Sequence, residues 1–401
     1  MKILVFSELF YPHGGGAELA TWLYSKLLAE EGIKVTIVTK QFPEEPAIES
    51  INSNLTIYRL PINFMFGSRY HTLANIGMLA NSFINKLISQ CDIVYVPCLW
   101  YSVIPFARWH NKPVVVHLHN YSIVCSTSLM FDFAEFKIKP SSLKSYVIHE
   151  TIERNRSPAS VATSSLMNEF AGQFYNRMGL LGDVLIFVSN AQRSLVISNV
   201  PSLKEKSCMI YNPIPNIPIV TAENSGIGYF GGRNFIKGYN IFLKTLRAIQ
   251  CYSKEVKTYL TMTANEQVSV QLDNGVTMNF LPRLPEVQLI NLMKQLSIVV
   301  VPSLWPEPAP YSLVQSMLLG KLVIASDIGG MPEILSGASS GIKLTQPGDH
   351  KEIAEGLCSF LSLPIDEANE LGFKNREHIL RKFNNKTAVC SFISVLNKLQ
   401  N

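Results

Sequence analysis

Charge is scarce in this sequence. Only 16% of its 401 residues are Asp, Glu, Lys or Arg, against ~25% in ordinary soluble domains, while 47% are hydrophobic. That balance excludes a disordered chain and favours large sheets covered on both faces. The formal net charge of +5 allows attraction to anionic lipid or phosphate but gives no support to nucleic-acid binding. No Cys-x-x-Cys pair occurs among the seven cysteines, Cys91, Cys98, Cys125, Cys208, Cys251, Cys358 and Cys390. An odd, scattered set argues against a disulfide framework and a zinc site, and suits buried thiols in a reducing cytosol. A membrane-spanning run is also missing. The most apolar window, Ile93 to Ala107, is too short and is broken by Pro97 and Pro105. The N-terminal MKILVFSELF reads as a first strand, too short and wrongly flanked for a signal peptide. The expectation is a cytosolic chain, with contact to the inner face of a membrane left open.

What is present is organised around Val299 to Glu333, VVVPSLWPEPAPYSLVQSMLLGKLVIASDIGGMPE. A β-branched run predicts a strand buried on both faces. A Pro-rich loop follows with one carboxylate, Glu307, and then a helical window, Ser312 to Leu319, ended by Gly320. A second buried strand, Leu322 to Ala325, enters the turn Asp327-Ile328-Gly329-Gly330. In a parallel sheet this order sets the loop at the carboxyl ends of the strands, where open α/β sheets bind ligands. Glu307, the amides after it and the Gly-Gly turn then face one crevice. A lone Glu in such a loop is ordinarily just solvated, so the weight rests on the order of the whole stretch.

The same strand-turn-helix logic recurs upstream. Strand Lys2 to Phe6 leads to Gly14-Gly15-Gly16 and a helix, Ala17 to Glu31, then strand Val35 to Thr39. Glycines there either open a helix N-terminus to a phosphate or carboxylate, or simply form a flexible turn. A dinucleotide fingerprint fails, because its third glycine would fall on Leu19 and no acid ends the second strand. The stretch Lys112 to Asn120 reads as a buried strand ending in His117 and His119 at alternate positions, so both point the same way. Further on, strand Ile227 to Phe230 enters Gly231-Gly232-Arg233-Asn234-Phe235-Ile236-Lys237-Gly238 and a helix. Arg233 can fork onto two phosphate oxygens and Lys237 can act as a point charge. Two aromatic-basic regions stay open between solvated or packed surface and a membrane-facing one: Phe64 to Tyr70, and Ser128 to Asn176 with Lys137, Lys139, Lys144, His149, Arg154 and Arg156. The proline-rich piece Met209 to Pro218 reads as a crossover linker.

The Val299 to Glu333 stretch resembles the donor-sugar signature of retaining glycosyltransferases of family 4. The matching positions are Ser303, Glu307, Gln315, Ser316, Gly320, Gly329, Gly330, Pro332 and Glu333. Two departures stand out: Gln315 replaces a second Glu, and Pro310 replaces a Gly. Gly231 to Gly238 resembles the same family's "G-G-R … K-G" clamp, one residue short between Arg and Lys. The piece HNYSIVCS resembles its strand-ending His-Asp element, with His119 and Asn120 at the matched positions.

The resemblance implies an α/β chain of GT-B architecture, two doubly wound Rossmann-like domains facing a central cleft. The divisions are 1–208 on the acceptor side, 209–380 for the nucleotide sugar, and 381–401 as a helix returning to the first domain. It implies His119, Arg233, Lys237 and Glu307 as catalytic, and Gly15, Gly16, Asn120, Gly232, Arg283, Tyr311, Ser312 and Gln315 as donor-binding. The implied reaction moves a hexosyl group from a nucleotide sugar to a hydroxyl of a glycan or lipid-linked acceptor, with retention, in surface-polysaccharide assembly of the lipopolysaccharide or capsule kind. No Asp-x-Asp motif occurs, so no metal and no other cofactor is expected. The alternatives are a nucleotide-sugar epimerase of the same fold and a degenerate, non-catalytic subunit. On sequence alone, Gln315→Glu is expected to tighten donor binding by restoring a charged acceptor.

Overall fold

The computed structural model describes residues 1–61, 81–97, 100–152, 156–157, 161, 172–174, 177–222, 226–250, 256–262, 267–338 and 341–400. Phe64 to Tyr70 and most positions from 153 to 176, Arg154 among them, lie outside the described residues. The chain forms two compact units, Met1–Pro213 with Asn385–Asn401, and Ile214–Asn384.

The first unit holds strands β1 (Lys2–Phe6), β2 (Lys34–Lys40), β3 (Ile48–Asn52), β4 (Leu55–Leu60), β5 (Ile93–Val96), β6 (Val114–Leu118), β7 (Val184–Phe187) and β8 (Ser207–Met209). They lie in the order β3-β4-β2-β1-β5-β6-β7-β8. All pair in parallel except β3 with β4. The continuous apolar runs of β5 and β6 are buried at every position, as strands covered on both faces must be. Strand order reverses between β1 and β5, so loops after these strands flank the switch point, where open α/β sheets take ligands.

The second unit repeats the plan with β9 (Ile227–Tyr229), β10 (Val256–Thr261), β11 (Val268–Gln271), β12 (Val276–Leu281), β13 (Ile298–Val301), β14 (Leu322–Ser326) and β15 (Ile342–Thr345). The order is β11-β12-β10-β9-β13-β14-β15, with only β11 antiparallel. Its switch point lies between β9 and β13. Gly231 to Gly238 leaves β9 and Pro302 to Pro310 leaves β13, so both sequence motifs arrive at one place.

The domain divisions shift slightly from the sequence reading. Met209 closes β8, Ile210 N donates to Phe187 O at 2.9 Å, and Tyr24 Oη donates to Tyr211 O at 3.0 Å. The chain therefore stays in the first unit through Pro213, with β8 extending the sheet past β7. At the other end the helix Ile365–Lys382 carries the second unit past position 380, and Lys382 Nζ bonds Glu333 O and Ser336 O there. The helix Asn385–Gln400 belongs to the first unit, where Phe392 and Leu396 are fully buried beside Tyr24, Leu28 and Tyr95.

Lys321 is the unusual member of the second core. It is fully buried, and its ammonium donates to Lys294 O at 2.9 Å and Val220 O at 3.3 Å. Burial pushes its pKa down to about 8. A folded value below the unfolded one makes the charge a penalty that is full below pH 8 and relieved as pH rises towards 10.5. Stability of the wild type should thus rise across that window by at most about 3 kcal/mol relative to Lys321→Met. Parallel urea curves for the two proteins from pH 7 to 10 would discard this account.

Candidate active site

The second unit's site begins with a glycine clasp. Gly238, at φ +83°, starts the helix Tyr239–Ala248, and a Cβ there would fall 1.9 Å from Pro302 O. Only glycine lets this loop press against the end of β13. Leu304 N donates to Ile236 O at 2.7 Å, and Lys237 N donates to Asn234 Oδ1 at 3.1 Å. Tyr229 Oη donates to Gly232 O at 3.1 Å. The loop is thereby fixed at both ends.

This clasp delivers Lys237 to Glu307, seventy positions further along the chain. Their Nζ and Oε2 are 2.7 Å apart, while Ser303 Oγ donates to Oε1 of the same carboxylate. Glu307 is only 4% exposed, and a buried carboxylate needs such partners to offset lost hydration. Lys237 Nζ also lies 5.3 Å from the centre of the Trp305 ring, within cation–π range. The Gly-Gly turn backs the loop. Gly330 N donates to Glu307 O at 2.7 Å, and a Cβ on Gly329 would come within 2.5 Å of Pro306 C. Sequence order alone joined Glu307 to this turn, and the structure supplies the contact.

Arg233 is exposed and makes no hydrogen bond or ion pair among the described residues. Its charge opposes the upward push that burial gives the Tyr239 hydroxyl. Pro310 precedes the helix Tyr311–Leu318, which carries no side-chain cap. Tyr311 and Gln315 are buried and Ser312 is half-buried. Gln315 Nε2 donates to Glu286 Oε1 at 3.0 Å. Arg283 is exposed just beyond β12. Glu286 was not singled out from the sequence, because a Glu opening a helix reads as an ordinary dipole partner.

His119, Asn120, Gly15 and Gly16 lie in the first unit. His117 and His119 stack with ring centres 4.5 Å apart, and Tyr95 Oη is 2.9 Å from His117 Nδ1. Burial pushes both imidazoles down, His119 to about 3, so both are neutral. Asn212 Nδ2 lies 3.5 Å from His119 Nδ1. With Asn212 donating, Nε2 of His119 carries the hydrogen, and this buried atom has no partner among the described residues. Asn120 Oδ1 accepts from Ser122 N at 2.8 Å and Asn120 O accepts from Gln192 Nε2 at 2.9 Å, so part of its capacity braces the loop.

The glycine-rich loop differs from the simplest reading. Gly15 N donates to Glu18 Oε2 at 2.7 Å, so the chain's own carboxylate occupies an amide expected to face a ligand. Gly16 begins the helix Gly16–Glu30, and both glycines are exposed. Glu8, just after β1, escaped the sequence reading. Burial and the nearby Glu18 raise its pKa to about 8, and Oε1 has no partner among the described residues. Its only sequence signal is an acid directly following an apolar strand. Among the described residues, no group of three His, Cys, Asp or Glu is placed to hold a metal ion.

Comparison with known proteins places the chain in a family. The profile of Glycosyltransferase Family 4 matches residues 14–217, and that of Glycosyl transferases group 1 matches residues 265–378. An uncharacterized glycosyltransferase of Methanocaldococcus jannaschii is 22% identical, covering 100% of this chain and 99% of its own. An uncharacterized 42.6 kDa protein of the Klebsiella pneumoniae cps region is 21% identical over 83% of this chain and 87% of its own. Among solved structures, sucrose-phosphate synthase from Thermosynechococcus elongatus superposes with a TM-score of 0.68 at 15% identity, covering 99% of this chain and 98% of its own. Anabaena HepE in complex with UDP and glucose gives 0.65 at 18% identity, covering 99% of each chain. These likenesses share the two-domain, Rossmann-like GT-B fold. With one family profile spanning more than half its length and the other falling on the unit that carries Glu307, the chain belongs to glycosyltransferase family 4.

Proposed function

We propose that the chain is a retaining hexosyltransferase, taking its sugar from a nucleotide-diphosphate donor. The observation that carries this reading is the Lys237–Glu307 pair at the switch point of the second sheet. Ser303 and Lys237 hold the Glu307 carboxylate in one orientation, suited to accepting hydrogen bonds from donor-sugar hydroxyls. Lys237 and the exposed Arg233 then meet the β-phosphate as the anomeric C–O bond breaks, where fixed charge counts most. The acceptor hydroxyl forms the new bond to the anomeric carbon on the same face, and its proton passes to the departing phosphate. No carboxylate pair for double displacement is evident in the sequence, which favours this front-face route. His119 Nε2–H would donate to a sugar hydroxyl or phosphate oxygen. Arg233 and Lys237 do the work that a divalent metal does elsewhere, so assays belong in EDTA. HepE was solved with UDP and glucose, which makes UDP-glucose the first donor to test. Product from a panel of nucleotide sugars, with its anomeric configuration read by NMR, checks the reading. Absence of transfer from every donor, or an inverted product, would sink it.

The acceptor we assign is lipid-linked, met at the membrane surface during surface-polysaccharide assembly. Support comes from a loop in the first unit. Phe136 and Ile138 are 62% and 47% exposed, interleaved with Lys137 and Lys139, and Leu143 and Lys144 follow, also exposed. The loop is rigidly built: buried Asp132 accepts from the amides of Ala134, Glu135 and Ser142, and these bonds lower its pKa. Alternating apolar and basic tips suit an anionic interface. Phe136→Asp should weaken co-sedimentation with anionic vesicles about tenfold, since a buried Phe is worth about 1.5–3 kcal/mol. Equal binding by both proteins would leave the loop merely solvated.

A further inference from the structure

We propose that Glu286 supplies the carboxylate missing from the helix Tyr311–Leu318, so that Glu286 and Gln315 together accept the ribose hydroxyls of a nucleoside diphosphate. This rests on the donor reading above and concerns the same site. Gln315 is 5% exposed and its Nε2 donates to Glu286 Oε1, 3.0 Å away. That bond engages one of the two amide N–H groups and orients the side chain, whose carbonyl oxygen is an acceptor. Glu286 retains Oε2, which makes no hydrogen bond among the described residues. Two acceptor oxygens, one charged, are thereby held side by side by a single hydrogen bond. A cis-diol offers two adjacent hydroxyl donors, and ribose is the cis-diol that every ribonucleoside diphosphate carries.

The placement fits that ligand. Glu286 is half-buried at the first position of the helix Glu286–Lys294, where a negative charge is stabilised. That helix follows β12, and the helix Tyr311–Leu318 follows β13, so both start at carboxyl ends of one sheet. The negative charge has changed helices without leaving the site. The effect of Gln315→Glu therefore reverses. Rather than restoring a missing charge, it sets two carboxylates at hydrogen-bond distance, where both cannot readily ionise. Exchanging the two residues keeps one carboxylate and one amide in contact and should be tolerated.

Calorimetric titration of UDP and its 2′-deoxy and 3′-deoxy forms tests this on the full chain. In the wild type, deleting a hydroxyl should cost about tenfold in affinity, as for a hydrogen bond to a charged group. In Glu286→Gln that cost should drop below about threefold, with UDP itself bound about tenfold more weakly. Gln315→Glu alone should also bind UDP more weakly, and Glu286→Gln with Gln315→Glu should return to within about threefold of wild type. Full hydroxyl discrimination in Glu286→Gln, or no recovery in the exchanged protein, overturns the proposal while leaving the donor reading intact. A wild type that binds no nucleoside diphosphate at all, across UDP, GDP and ADP, overturns both.

Discussion

Arg233→Ala and Lys237→Ala should each lower kcat by about 10²–10³-fold, the usual consequence of deleting one fixed group aimed at developing charge. The two variants fail differently in other respects. Arg233 is exposed and has no partner among the described residues, so its loss should leave the urea midpoint where it was. The Lys237 side chain is about one-third exposed and bonded to the buried Glu307 carboxylate. Removing it strands Glu307 with Ser303 as its remaining side-chain partner, which costs stability as well. Lys237→Met with Glu307→Gln should recover that stability without recovering turnover. Stopped assays in EDTA with saturating donor provide the measurement. Wild-type kcat in either single variant would remove the phosphate clamp from the mechanism.

The second large effect is on folding. Gly238→Ala should destabilise the second unit by at least about 3 kcal/mol, combining positive φ with a collision against fixed backbone. The added Cβ would meet Pro302 O at 1.9 Å and Pro302 C at 2.7 Å, atoms that cannot swing aside as a flexible side-chain end would. Relief requires the Gly231 to Gly238 loop to lift from β13, and Lys237 moves with it. Gly232→Ala is the natural control. Its φ is +68°, yet nothing lies within 4 Å of an added Cβ, so about 1 kcal/mol is expected. Equal urea midpoints for the two alanine variants would mean that the close approach to Pro302 carries no weight.

Much of this was legible in the sequence because parallel, doubly covered strands announce themselves as unbroken apolar runs. The runs VVVHL of β6 and IVVV of β13 leave little choice of structure. Edge strands carry no such mark. IESIN of β3 and VSVQ of β11 are almost wholly exposed, and both pass for loop. The helix Ile365–Lys382 is harder to see in the sequence, because its buried face turns polar after Lys374. There Asn375 Nδ2 donates to Lys321 O and Gly341 O, and His378 Nε2 lies 2.9 Å from Ile334 O. Periodicity of apolar residues cannot see such a face. In the site, motif order brought Glu307 and the Gly-Gly turn into one loop and raised Lys237 as a partner in a separate one. The Lys237–Glu307 bond itself, the Glu286 contact to Gln315 and the raised Glu8 depend on side chains far apart in sequence, which spacing does not encode.

The helix Asn385–Gln400 has a consequence for how the protein is made. Phe392 sits with its ring centre 5.1 Å from Tyr24 and 5.0 Å from Tyr95, in a core otherwise built from the first 213 residues. During synthesis that core must wait for residues that emerge only after the whole second unit. Until then the core around Tyr24 and Leu28 of the helix Gly16–Glu30 lacks the part of its cover that Phe392 and Leu396 supply. The second unit is contiguous in sequence and can finish first, a reversal of the usual N-to-C order of domain folding. A chain cut after Asn384 would hold every residue of the second unit while its first unit still lacked Phe392 and Leu396, a form suited to capture by chaperones.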